Sequence, residues 1–294
     1  MIAGSTPEWS CWFPLLGISR NASVPRLPGI YRVRRRDFDG LDYIGQTGRS
    51  LRERLGALSR CHAEQMPYRD PHTAAPALWA LRHATEGEFE ASYATVAGGS
   101  HTRKGLEALA IGLYRQEFGS SPTVQFGRVP DGYRASFPNN ARLVAAGSRF
   151  RGGVYDGPPL AEHRIGAPPA GSLTPDIQSQ SWCGHRWNSW VALSNARYAI
   201  PASTVGLYRI RGDRDDILLY IGQGVLPNRP LAHLAKIAAV GHAQGAIFAA
   251  QHRLEVSWVA KPQPPANQLL KLENDLIAAH MLHVNSAPAA QFKG

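Results

Sequence analysis

The apolar and polar positions of this chain fall into one pattern written twice. Residues 29–47 read GIYRVRRRDFDGLDYIGQT and residues 206–224 read GLYRIRGDRDDILLYIGQG; aligned without a gap, they agree at 10 of 19 positions. Each segment opens on a short run of Ile or Leu, Tyr and Val, passes through charged residues, and closes on Tyr-Ile-Gly. Val, Ile and Tyr favour strands, and a charged centre suits an exposed connection, so the pattern predicts two hairpin-linked strands in each copy. Further along, FEASY (89–93) and LEVSW (254–258) alternate apolar and polar positions and predict a third strand.

Helices fill the intervals. Ser50 caps SLRERLGALSR, with Glu53 at the capping-box position. Pro230 suits the first helical position of PLAHLAKIAAV. A second helix is expected around PALWALRHA and around AIFAAQHR, and a longer one begins near Thr102 and near Pro265. Two more blocks recur in order: WSCWFPL (9–15) with WNSWVAL (187–193), and LEALAIGLYRQEFGSSPTVQF (106–126) with LENDLIAAHMLHVNSAPAAQF (272–292). The chain therefore reads as an α/β (α+β) protein with two copies of one domain, residues 1–127 and 187–294. The connecting residues 128–186 are rich in Gly, Pro and Arg and predict an extended linker. Within them, GRVPDGYRASFPNNARLVAAGSRFRGG carries five arginines and three aromatics; it fits either an arm along a phosphate backbone or an irregular cover on the first copy.

Charge changes the picture. Lys and Arg number 32 against 22 Asp and Glu, a net +10 that packing does not require and that a polyanionic partner, nucleic acid above all, would explain. Three widely spaced cysteines make no disulfide framework, and Cys183 with His185 is too few ligands for zinc. No basic, apolar leader opens the chain and no apolar run approaches membrane length, so a soluble, cytoplasmic protein is expected.

The paired Gly-Ile-Tyr and Tyr-Ile-Gly segments, at this spacing and with an arginine and a glutamate following, resemble the GIY-YIG nuclease superfamily. The resemblance covers both copies, and it implies a small domain with a three-stranded antiparallel sheet flanked by helices. Carried over residue by residue, it implies Tyr31, Tyr43, Arg54 and Glu107 as site residues in the first copy. In the second it implies Tyr208, Tyr220, Arg229, His233 and Glu273. The first copy departs at Leu58, where the histidine would stand; the second departs in that Pro230 follows Arg229 and sets it just before the helix. The activity implied is endonucleolytic cleavage of DNA, duplex above all, with Mg²⁺ (or Mn²⁺) held by Glu107 and Glu273. Two sites in one chain would then face the two strands about an approximate two-fold axis, within a monomer.

The chemistry is coherent. One carboxylate can hold a divalent cation and leave positions open for phosphate and water. Arginine gives a permanent forked charge for phosphate oxygens. Tyrosine is a poor base at its usual pKa near 10, but an arginine and a metal beside it favour the phenolate. In the resemblance the first tyrosine of each pair (Tyr31, Tyr208) is the base, and the second orients water or phosphate. Each feature also has a structural alternative: packed strand tyrosines, glycines required by backbone shape, solvated arginines. The same holds for the tryptophans, which either stack bases or close each small core. Asn285 fits the family's asparagine, yet the repeat aligns it with Gly119, which fits a helix stop. Gln125 and Gln291 each lie eighteen residues past their glutamate and fit a supporting role, holding a backbone or phosphate oxygen. Two other functions stay open: nucleic-acid binding with one or both copies inactive, and a repurposed fold acting on RNA or a small molecule.

Overall fold

The computed structural model describes residues 7–64, 66–67, 74–127, 167–213, 217–261 and 266–293. The arginine-rich stretch singled out above lies almost wholly outside them. Chain contacts divide the protein into two compact units. The amino-terminal unit is built from residues 8–97 with 122–127, and the carboxy-terminal unit from 98–121 with 167–293.

In chain order the strands and helices are β1 (Phe13–Pro14), β2 (Gly29–Arg35), β3 (Tyr43–Thr47), α1 (Leu51–Leu58), α2 (Ala74–Thr85), β4 (Phe89–Thr95) and α3 (Ser100–Phe118). The second copy supplies β5 (Val191–Ala192), α4 (Ala196–Ala199), β6 (Thr204–Gly212), β7 (Leu218–Leu226), α5 (Asn228–Ala238), α6 (Ala243–Ala249), β8 (Leu254–Ala260) and α7 (Ala266–Val284). The protein is mixed α+β, with two four-stranded antiparallel sheets ordered β1-β4-β2-β3 and β5-β8-β6-β7. Each contains the three expected strands. The fourth is a two-residue strand that the tryptophan segment lays against the outer edge, too short for any period-two signal.

The two registers are equivalent. Tyr31 lies opposite Gly45 and Tyr93, and Tyr208 opposite Gly222 and Trp258. Because successive strand residues face opposite ways, Tyr31 and Val33 enter the core with Leu51, Leu55, Leu58, Leu78 and Phe89. Arg32 and Arg34 therefore point to the other face, where Trp9 and Trp12 lie. Ser50 caps α1 as expected, accepting the Glu53 N–H at 3.2 Å.

Three expectations need correction. Helix α5 begins at Asn228, so Arg229 sits in its first turn and Pro230 is the third residue, where a missing N–H still costs no helical bond. Residues 171–186, expected as linker, are packed: Ile177, Trp182 and Cys183 are buried in the carboxy-terminal core. Helix α3, counted with the first copy by repeat, belongs to the carboxy-terminal unit. Its partner there is α7, the equivalent helix of the second copy. The reason is shape and charge. Gly112 leaves room for Ala278, Gly105 for Met281, and Asn274 Nδ2 donates to the Ala108 carbonyl at 3.1 Å. Gly112/Ala278 and Ala108/Asn274 are equivalent positions of the repeat. The helices run antiparallel, Gly105 meeting Met281 and Arg115 meeting Asp275.

Candidate active site

The carboxy-terminal unit gathers the second copy's residues. Tyr208 on β6 is buried against Tyr220 of β7, ring centroids 5.9 Å apart. Its position depends on Gly222: a Cβ there would lie 2.6 Å from the Tyr208 hydroxyl oxygen. Gly45 does the same for Tyr31, again at 2.6 Å. The glycine of the second motif thus makes room for the tyrosine of the first. Gly206 and Gly29 make room for the Val259 and Ala94 carbonyls of the neighbouring strands.

The Tyr208 hydroxyl lies 2.9 Å from Nε2 of His233, one turn past Arg229 on α5. The direction of that bond follows from Gln244, which sequence reasoning missed. Gln244 Nε2 donates to the Ala290 carbonyl at 2.8 Å, which turns its Oε1 to His233 Nδ1 at 3.1 Å and to the Lys236 ammonium. An acceptor at Nδ1 requires the proton there, so Nε2 is bare and the Tyr208 hydroxyl donates to it. Burial, and then the Lys236 charge, push His233 down to about 4, consistent with a neutral imidazole. No spacing in the sequence would have found Gln244, because it reaches the site from α6 through tertiary contact.

Burial also raises Tyr208 well above its usual range, reinforced by Tyr220 and opposed by Arg229. Tyr220 is raised by burial and then by Glu273. The expectation of a favoured phenolate is thus not met by the protein's own groups: desolvation outweighs the arginine, and Tyr208 is a buried phenol. Glu273 on α7 is raised to about 7 by burial, with Arg229 pulling the other way. Arg229 is exposed, its Nε donating to the Gln223 carbonyl at 3.4 Å. Its charge acts on both tyrosines, His233 and Glu273, so the five groups share one locale.

Among the described residues no group of three or more His, Cys, Asp and Glu converges as a ready-made metal cage. Glu273 nevertheless fits a hard divalent cation. It is a partly buried, desolvated carboxylate that no described side chain pairs or hydrogen-bonds, and a cation would relieve the burial that raises its pKa.

The first copy is arranged otherwise. Tyr31 and Tyr43 pair on β2 and β3 with centroids 6.2 Å apart. Arg54 lies on α1, its Nε buried without a hydrogen-bond partner among the described residues, and helps line an open cleft of about 360 Å³. The cleft is walled by Gln46, Thr47, Arg49 and Glu53 as well. Leu58, in the place of His233, is fully buried in the core. Glu107 is carried by α3, in the other compact unit from Tyr31, Tyr43 and Arg54.

The supporting residues resolve into backbone roles. Gln125 Oε1 accepts the Ile44 N–H and Gln291 Oε1 the Ile221 N–H, both at 3.0 Å, so each glutamine pins the centre of its Tyr-Ile-Gly strand. Asn285 and Gly119 both end their helices left-handed, with φ of 63° and 65°. Their N–H groups close on Met281 and Arg115 carbonyls, the helix stop that the repeat suggested. Comparison of the chain with protein-family models, with curated proteins and with solved structures finds no match in any of the three.

Proposed function

We propose that this protein is a metal-dependent endonuclease that hydrolyses DNA, working as the GIY-YIG nucleases it resembles, with its chemistry in the carboxy-terminal unit. The observation that carries this reading is the hydrogen bond from Tyr208 to the bare Nε2 of His233, in a locale shared with Arg229 and Glu273. A packing tyrosine needs no proton acceptor held in one tautomer by a buried amide. In the proposed step the water oxygen bonds to phosphorus as the P–O bond to the leaving sugar oxygen breaks; the water passes a proton to the Tyr208 oxygen while Tyr208 passes its own to His233, and the leaving oxygen takes a proton from solvent. The imidazole takes up one proton and the phenol is restored. A phosphate docked on Arg229 raises the basicity of His233, so proton acceptance is coupled to substrate binding. Arg229 presents its forked donors to the non-bridging oxygens, and Tyr220 orients phosphate or water. Glu273 would hold Mg²⁺ or Mn²⁺, which supplies Lewis-acid stabilisation of the charge that develops on phosphate.

The amino-terminal copy favours a binding role, because Leu58 stands at the position that His233 fills in the second copy. That gives one cleaving site per chain, acting on duplex DNA in a cytoplasmic setting. The net charge of +10 supports the polyanionic substrate. The experiment is incubation of supercoiled plasmid with Mg²⁺. Cleavage by the wild type, lost by about 100-fold or more in Glu273→Ala and His233→Ala, is expected; Glu107→Ala keeps it. Intact plasmid and intact RNA across Mg²⁺ and Mn²⁺ would remove the nuclease reading.

A further inference from the structure

We propose that the outer face of the amino-terminal sheet, around Arg32, Trp9 and Trp12, is a docking site for an acidic peptide turn of a partner protein. The argument is an internal comparison, since both sheets carry the same assembly on that face. Arg32 Nε donates to Ser92 Oγ and Arg209 Nε to Ser257 Oγ, both at 3.4 Å. The two serines donate in turn to the carbonyls of Ser10 and Asn188. Arg32 stacks over Trp9 and Trp12 at 4.6 and 4.7 Å; Arg209 stacks over Trp187 and Trp190 at 4.3 and 4.7 Å. Arg34 and Arg211 cover Trp12 and Trp190 and pair with Glu90 and Glu255.

What differs is the next layer out. In the carboxy-terminal unit the chain's own turn at residues 176–182 lies on the arginine. Arg209 Nη1 donates to the Ile177 carbonyl at 2.8 Å, and Nη2 to those of Ser179 and Gln178 at 3.0 and 3.4 Å. Trp182 adds a third ring at 5.7 Å; burial lowers the Arg209 pKa to about 9, and the charge of Asp176 opposes that. Arg209 is fully buried beneath the turn. Arg32 has no such cover: among the described residues its one hydrogen bond is to Ser92, and it is only half-buried. Beside it Arg34 and Arg36 share one carboxylate, Glu90. The site is thus a half-buried guanidinium held between two indoles, with its outer donors unspent among the described residues. The ligand it fits is the one its twin holds: successive backbone carbonyls, an acidic residue just before them and an aromatic ring shortly after.

The test uses the full chain and a labelled synthetic peptide of residues 172–188, with a scrambled peptide as control. Saturable binding with a Kd on the order of 100 μM is expected. Arg32→Ala should weaken it about tenfold, through loss of the charge-assisted hydrogen bonds. In the wild type, bound peptide should slow amide hydrogen exchange at residues 8–14 and 89–93, a readout that does not depend on any variant folding. Absence of binding at 1 mM peptide, binding unchanged by Arg32→Ala, or protection confined to the other unit overturns the proposal. So does tighter occupancy of the same face by single-stranded DNA, which would make it a nucleic-acid surface. Plasmid cleavage is measured separately, so loss of peptide binding and loss of nuclease activity remain distinct results.

Discussion

Gly222 and Gln244 place the two ends of one hydrogen bond. A methyl group at Gly222 would stand where the Tyr208 ring and hydroxyl now lie, the nearest atoms being at 2.6 Å. Gly222→Ala should destabilise the protein by about 1–3 kcal/mol through overpacking. It should also lower DNA cleavage by at least about tenfold as the hydroxyl leaves Nε2, to be read from denaturant unfolding and plasmid assays on one preparation. Gln244 acts one residue further out. Its amide, tied to Ala290, fixes which imidazole nitrogen carries the proton. In Gln244→Leu the ¹⁵N shifts of His233 should move from a single Nδ1–H tautomer to a mixture, and cleavage should fall by about tenfold. Gln244→Glu, which keeps an acceptor at Nδ1, should restore the tautomer. Unchanged shifts in Gln244→Leu would leave the amide no part in setting the proton.

At the scale of elements, the pairing of α3 with α7 stands out, because glycine and alanine let the helices approach and a buried ion pair then fixes them. Arg115 is fully buried and bidentate to Asp275, at 2.7 and 2.9 Å, with Ser121 and the Ala167 carbonyl taking its remaining donors. Such a pair adds little over a well-packed apolar pair, but half of it is costly. Asp275→Ala should destabilise by about 3–5 kcal/mol, leaving a buried guanidinium uncompensated. Replacing both members by the repeat's own residues at the equivalent positions, Arg115→Met with Asp275→Leu, should cost much less. Thermal unfolding of the three variants checks the non-additivity. Glu273 lies two residues from Asp275, so this pair also anchors the helix that presents the candidate metal carboxylate.

For the whole molecule, buried histidines set the acid limit. His185 and His280 are each pushed down to about 4, burial being the main cause. At His185 the charges of Lys261 and Arg209 add to it; at His280 the hydrogen bond to the Ser286 carbonyl opposes it. Both are neutral when folded, whereas in the unfolded chain they bind a proton near pH 6.5. The unfolded state therefore holds more protons between about pH 6.5 and 4, and stability falls as pH drops through that window. The slope is about 1.4 kcal/mol per pH unit for each group. His233 adds to this fall, whereas Glu273, raised to about 7, opposes it between about pH 7 and 4.5, so unfolding midpoints should decline below pH 6.5. His185→Gln should shallow the decline; a midpoint that rises on acidification would contradict the assignment.

The sequence determined the local and the repeated. Strand-favouring residues marked β2, β3, β6 and β7, period-two alternation marked β4 and β8, Ser50 marked the start of α1, and the alignment of Asn285 with Gly119 marked two helix ends, because each depends on neighbours in the chain. The duplication made the tyrosine pairs and the glutamates legible as candidates. Only the tertiary structure decided what those groups meet. It buried Tyr208 until desolvation outweighed Arg229, brought Gln244 to His233 from another helix, and turned Gln125 and Gln291 into strand anchors. It also joined α3 to α7 across the repeat boundary and laid the turn at residues 176–182 on the arginine face of the second sheet. Proton positions, desolvation and helix partnership are set by groups distant in sequence, and no local pattern encodes that distance.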